Sequence, residues 1–173
     1  MKSDNIMYQL LKLLLFTIIV FVCANHSFAQ PVLPSRSITV TPTQSIHFGT
    51  FCLTGGAGGT ITVGYDGTRT STGDIALLSQ TPTSQPAIFE VKLCEGRNVI
   101  ISFSPTTILT GSNGGSFSMD IGPTDKGVNG ASFATDSDCN FITPMLVGGK
   151  LYVPGTALPG IYTGSFSITF NQE

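Results

Sequence analysis

The side chains able to do chemistry are few and far apart. His47 stands between Ile46 and Phe48, while Asp120, Asp125, Asp136 and Asp138 gather around one polar stretch. A serine or cysteine nucleophile needs a base within hydrogen-bond reach. Here strand alternation turns His47 toward water if Ile46 and Phe48 face a core. Asp136-Ser137-Asp138 falls short of the roughly six to eight oxygen ligands that calcium takes, and no pattern sets two carboxylates across a cleft for glycoside hydrolysis. Gly55-Gly56-Ala57-Gly58-Gly59 lacks the Lys and Ser/Thr of a phosphate-cradling loop, and no helix follows it. Gly111-Ser112-Asn113-Gly114 lacks the strand-to-helix turn of a nucleophile elbow and reads as a plain turn. Tyr65, Tyr152 and Tyr162, set among threonines, offer a carbohydrate-binding face, although the chain has no Trp to stack on a sugar. The residues point to a protein that is not an enzyme and needs no cofactor and no metal.

Positioning begins with export. Lys2 and Lys12 precede an apolar run from Leu13 to Ala24, and Ser27-Phe28-Ala29 follows as a small-residue cleavage pattern. This reads as a signal peptide over residues 1–29, because the run is short of the roughly 20 residues that span a bilayer. Val22 before Cys23 argues against a lipid-attachment box. The expectation is a mature domain over residues 30–173 with no membrane span, destined for the periplasm, the cell surface or the medium.

Processing removes Lys2, Lys12 and Asp4, so six of the eight basic and nine of the ten acidic side chains remain. Arg36, Arg69, Lys92, Arg97, Lys126 and Lys150 are scattered singly, which disfavours nucleic acid as a partner. Three cysteines remain, Cys52, Cys94 and Cys139, with no zinc spacing. In an oxidising compartment a pair is expected. Cys94 and Cys139 both adjoin polar turns and are the preferred disulfide, leaving Cys52 as a small buried hydrophobe; Cys52 with Cys94 is the alternative.

The mature chain reads as strands throughout. Ile38 and Val40, then Ile46 and Phe48, alternate with polar residues, and so do Ile61, Val63 and Tyr65 up to the turn Asp66-Gly67. Residues 68–73 read as a polar loop. Phe89, Val91 and Leu93 face one way and join Val99, Ile101 and Phe103 in an apparent hairpin. Phe117, Met119 and Ile121 form another strand, residues 122–140 a long loop, and Met145–Val153 and Ile161–Phe170 the last two strands. Gly148-Gly149 inside a strand signals a bulge or a close backbone approach. The pattern predicts one all-β domain, an antiparallel immunoglobulin-like or pilin-like sandwich of about seven to nine strands.

Several segments resemble a known family. Ile46-His47-Phe48-Gly49-Thr50-Phe51, Gly58–Val63, Asp66–Ile75, Pro86–Val91, Thr110–Gly115, Val147–Val153 and Gly160–Phe170 follow one another as in exported bacterial proteins of the domain of unknown function 4402 family. The resemblance covers nearly the whole mature chain and implies export and an immunoglobulin-like sandwich. More loosely, the early Phe-Gly and the final Gly-x-Tyr-x-Gly strand look like chaperone–usher pilus subunits, which complete their fold by strand addition.

The functional expectation is therefore an exported structural subunit that assembles or adheres by strand pairing, with copies of itself or a periplasmic chaperone as partner. Ile38 and Val40 at the start, and Tyr162, Phe166, Ile168 and Phe170 at the end, are the expected pairing edge. Pro31 and Pro34 shorten any leading donor segment, since proline cannot donate to a ladder. A monomeric secreted module that binds a glycan or a surface protein is the alternative.

Overall fold

The computed structural model describes Lys12, Leu14 and residues 37–93, 97–138 and 140–173. The expected cleavage site and the Cys94–Cys139 pair lie outside the described residues. Arg36–Glu173 form one compact unit. No helix among the described residues is long and apolar enough to cross a membrane.

The compact unit is all-β and sandwich-like, and every ladder is antiparallel. Its large sheet runs β1 (Thr39–Gln44), β6 (Ala87–Lys92), β11 (Thr143–Val153), β9 (Ser116–Thr124), β8 (Thr106–Gly111) and β12 (Tyr162–Thr163). β3 (Gly59–Val63) also pairs with β11 and carries β4 (Arg69–Gly73) beyond it. A second sheet has the order β10 (Ser132–Ala134), β7 (Asn98–Phe103), β13 (Ile168–Gln172). β2 (Phe51–Leu53) and β5 (Ile75–Leu77) form a short pair.

Period-two alternation explains the core. Ile61, Val63, Val91, Val99, Ile101, Met145 and Val147 are fully buried, each one step away from an outward residue on its strand. Each such side chain contributes about 1.5–3 kcal/mol relative to exposure.

Four expectations need correction. β6 and β7 are not a hairpin: β6 pairs with β1 and β11, and β7 with β10 and β13. The chain crosses between sheets there, so that two apolar stripes, one from each strand, both reach the core. Residues 161–170 are likewise not one strand. Tyr162 and Thr163 pair with β8, whereas Ile168–Gln172 pair with β7, and the chain changes sheets between them. Residues 69–73 form β4, with Thr72 opposite Thr60 and Thr70 opposite Thr62; backbone pairing makes a strand there without an apolar stripe. The stretch 122–140 contains the end of β9 and all of β10, whose Phe133 is buried. Among the described residues the strand segments number thirteen.

The glycine pair in β11 behaves as its position suggests. The ladder to β9 shifts register between Val147 and Gly149. A Cβ on Gly149 would lie 2.9 Å from Ile46 Cδ1 and 3.3 Å from Phe48 Cζ, and one on Gly148 would lie 2.7 Å from the Val63 carbonyl oxygen. Gly149→Ala is expected to lower stability by about 1–3 kcal/mol through overpacking. Urea unfolding should show a lower midpoint with an unchanged slope.

Candidate functional site

The core is closed in its middle and open along one flank. β1 has a backbone partner only in β6, and β13 only in β7, so among the described residues the outer edge of each is unpaired. β6 carries Phe89 on its core-facing side, in phase with the buried Ala87 and Val91, yet Phe89 is only half-buried. Its ring lies 6.2 Å from that of Phe166 and 6.0 Å from that of Phe170. Val40, Ile38 and Ile168 are also half-buried at the margin of the core. Val40 sits opposite Val91 and Pro42 opposite Phe89, which brings the β1 edge beside the aromatic cluster.

Five of the six expected edge residues thus lie on or beside β1 and β13, two of the end strands. Ile38 just precedes β1 and Val40 lies within it; Phe166 leads into β13, which holds Ile168 and Phe170. Tyr162 is the exception. It sits in β12 at the far end of the large sheet, stacked on Phe117 at 3.6 Å, with its hydroxyl donating to the Leu158 carbonyl. Phe89, which links the two edges, belonged to no expected edge, although its in-phase spacing with Val91 was visible.

The opposite surface of the large sheet is rich in hydroxyls. Cross-strand registers place Ile108, Ser118, Tyr152, Thr60 and Thr72 in one row, and Thr106, Asp120, Lys150, Thr62 and Thr70 in the next. Tyr152 donates its hydroxyl proton to Asp120 Oδ2 at 2.7 Å, Thr106 donates to Oδ1 at 3.0 Å, and Lys150 Nζ lies 5.1 Å from the Tyr152 ring centre. The hydrogen bond to Asp120, followed by desolvation and the carboxylate's charge, holds the Tyr152 phenol above its ordinary pKa, because ionisation would remove the donated proton. Tyr152 faces out while Tyr162 packs against the core margin, so the three tyrosines do not build one platform.

The remaining candidates brace loops. His47 Nδ1 accepts from Gly49 N at 2.8 Å, and the His47 backbone bridges Gln85, which makes this half-buried ring a local strut. Asp136 Oδ1 accepts from Asp138 N, and Asp138 Oδ1 accepts from the backbone and side-chain amides of Asn140. Asp125 Oδ1 accepts from Leu146 N, and its other oxygen pairs with Lys126 at 3.0 Å. Among the described residues no three metal-ligating side chains converge. Cys52 departs from expectation: it is exposed and free, because Phe51 and Leu53 on either side turn inward.

These features define an antiparallel β-sandwich-like domain with one open, aromatic flank and one hydroxyl-rich face. The chain belongs to the family described as domain of unknown function (DUF4402), whose model matches residues 38–171. No curated protein and no solved structure matches it.

Two measurements check the geometry. In an ultraviolet titration Tyr152 should ionise at higher pH than a free phenol, and Asp120→Asn should bring it down. In the native protein a maleimide should label Cys52 without denaturant, as read by peptide mass mapping.

Proposed function

We propose that the chain is a non-enzymatic exported structural subunit of pilin or fimbrial kind, which assembles or adheres by β-strand pairing. The observation that carries this reading is the open flank: two unpaired strand edges beside half-buried, core-facing Phe89, Phe166 and Phe170. Unpaired backbone donors and acceptors form a template for another strand. Apolar side chains at alternate positions of that strand would finish covering the aromatic cluster, which is the logic of strand addition. The partner is another copy of the chain or a periplasmic chaperone, met after signal-peptide removal in the periplasm, at the cell surface or outside the cell. The immunoglobulin-like, pilin-like arrangement and the Cys94–Cys139 disulfide belong to the same reading.

A second reading, a monomeric secreted module for a glycan or a surface protein, draws support from the hydroxyl-rich face around Tyr152. Material sheared from native cells separates the two on a denaturing gel probed with an antibody to this protein. Unheated samples should give a ladder that collapses to one band on boiling, since strand-added polymers resist detergent until heated. A single monomer band in both lanes would remove the polymer and leave the binding module.

A further inference from the structure

Arg69 is a cation without a counter-ion among the described residues. It lies on the inward phase of β4, between the exposed Thr70 and the exposed Thr68, and is itself half-buried. Its guanidinium crosses over Gly49, where φ is 72° and a Cβ would lie 3.0 Å from Arg69 Cζ. Nη1 donates to the Leu78 carbonyl at 3.2 Å and Nη2 to the Thr50 carbonyl at 2.8 Å. Both acceptors are neutral. Nε is buried and has no acceptor, and among the described residues no carboxylate pairs with the group. Burial accordingly depresses its pKa. A guanidinium has five N–H donors in a planar fork, so this one retains unused donors on a partly desolvated charge. A partly desolvated charge of this kind gains from an added anion.

The same side chain lines a depression of about 350 Å³, together with Leu78, Ser79, Gln80, Thr83 and Ser84. That volume is at the lower end of small-molecule sites, about 300–1,000 Å³. No second Lys or Arg lines it, which suits a single negative charge better than a phosphate dianion. With Nε buried, the N–H groups of Nη1 and Nη2 not spent on the two carbonyls are those left for a carboxylate. The hydroxyls of Ser79, Thr83 and Ser84 and the amide of Gln80 in the same lining offer both donors and acceptors, as a ring bearing several hydroxyls requires.

We propose that this depression binds a carboxylate-bearing sugar of hexuronate type, with Arg69 holding the carboxylate and Ser79, Gln80, Thr83 and Ser84 meeting the ring hydroxyls. The proposal is independent of strand pairing and holds for a polymer or a monomer.

The test titrates protein purified from cells expressing the whole chain, at low ionic strength, with D-glucuronate, D-glucose, inorganic phosphate and triglycine. Calorimetry gives affinity, and amide shifts give location. Saturable glucuronate binding at least tenfold tighter than each of the other three, with shifts in residues 78–84, is the expected result. Arg69→Lys keeps the charge but loses the fork, and should abolish that preference. Because this substitution also removes two bonds to carbonyls, Thr83→Trp serves as the second variant. It fills the mouth from an exposed loop position, and should weaken glucuronate at least tenfold with the thermal midpoint unchanged. No saturable binding, glucose binding as tight as glucuronate, or undiminished binding in Thr83→Trp would overturn the proposal. Equal or tighter binding of phosphate would make this a general anion site, and of triglycine a peptide-terminus site; either result also overturns it.

Discussion

Strand β11 must satisfy three neighbours along eleven residues, and the rest of the large sheet depends on how it does so. On one edge, positions 143–147 pair with β6 and positions 149–153 with β3; on the other edge β9 runs alongside. The change of partner falls at Gly148-Gly149, where the β9 ladder also slips register. Any side chain at Gly148 would meet the backbone of β3, and any at Gly149 would meet Ile46 and the backbone of β9. Absence of two Cβ atoms is thus the local condition that lets β1 and β6 on one side, and β3 and β4 on the other, share a single sheet.

Closing the sheet around β11 has consequences at its margins. The residues nearest that strand, Ile61, Val91, Met145 and Val147, are fully buried. Those on the end strands are not: Val40, Ile168 and Phe170 stay half-buried although they face the core. A finite sandwich always has end strands, but many proteins cover them with loops or charge. Here the flank keeps aromatic side chains and unpaired backbone together, a combination suited to receiving another strand.

The β4 margin follows a different logic. Thr70 and Thr72 face water beside Thr62 and Thr60, with a 2.8 Å hydroxyl contact between Thr60 and Thr72. The alternate phase turns Arg69 inward, where it ties the Thr50 and Leu78 carbonyls at the end of the β2–β5 pair. The Leu78 amide also donates to Thr50 O, so one carbonyl organises both the strand end and the guanidinium. The same side chain therefore braces the loop and lines the depression beside it.

The sequence by itself determined the all-β class, the family, the inward residues of most strands and the meaning of Gly148-Gly149, because side-chain alternation and missing Cβ atoms are local properties. It also carried an alternation at Arg69, Ser71 and Gly73 against Thr70 and Thr72, although without apolar residues this resembled a loop. Only the tertiary structure decided which strands meet. Whether Val91 and Val99 belong to one sheet or to two facing sheets, and whether Tyr162 and Phe170 share a strand, depends on where the chain crosses the sandwich; local pattern is the same in either case. The half-burial of Phe89 and, among the described residues, the unpaired charge of Arg69 arise the same way. Each depends on neighbours distant in the chain, and burial and counter-charge are properties of packing in three dimensions.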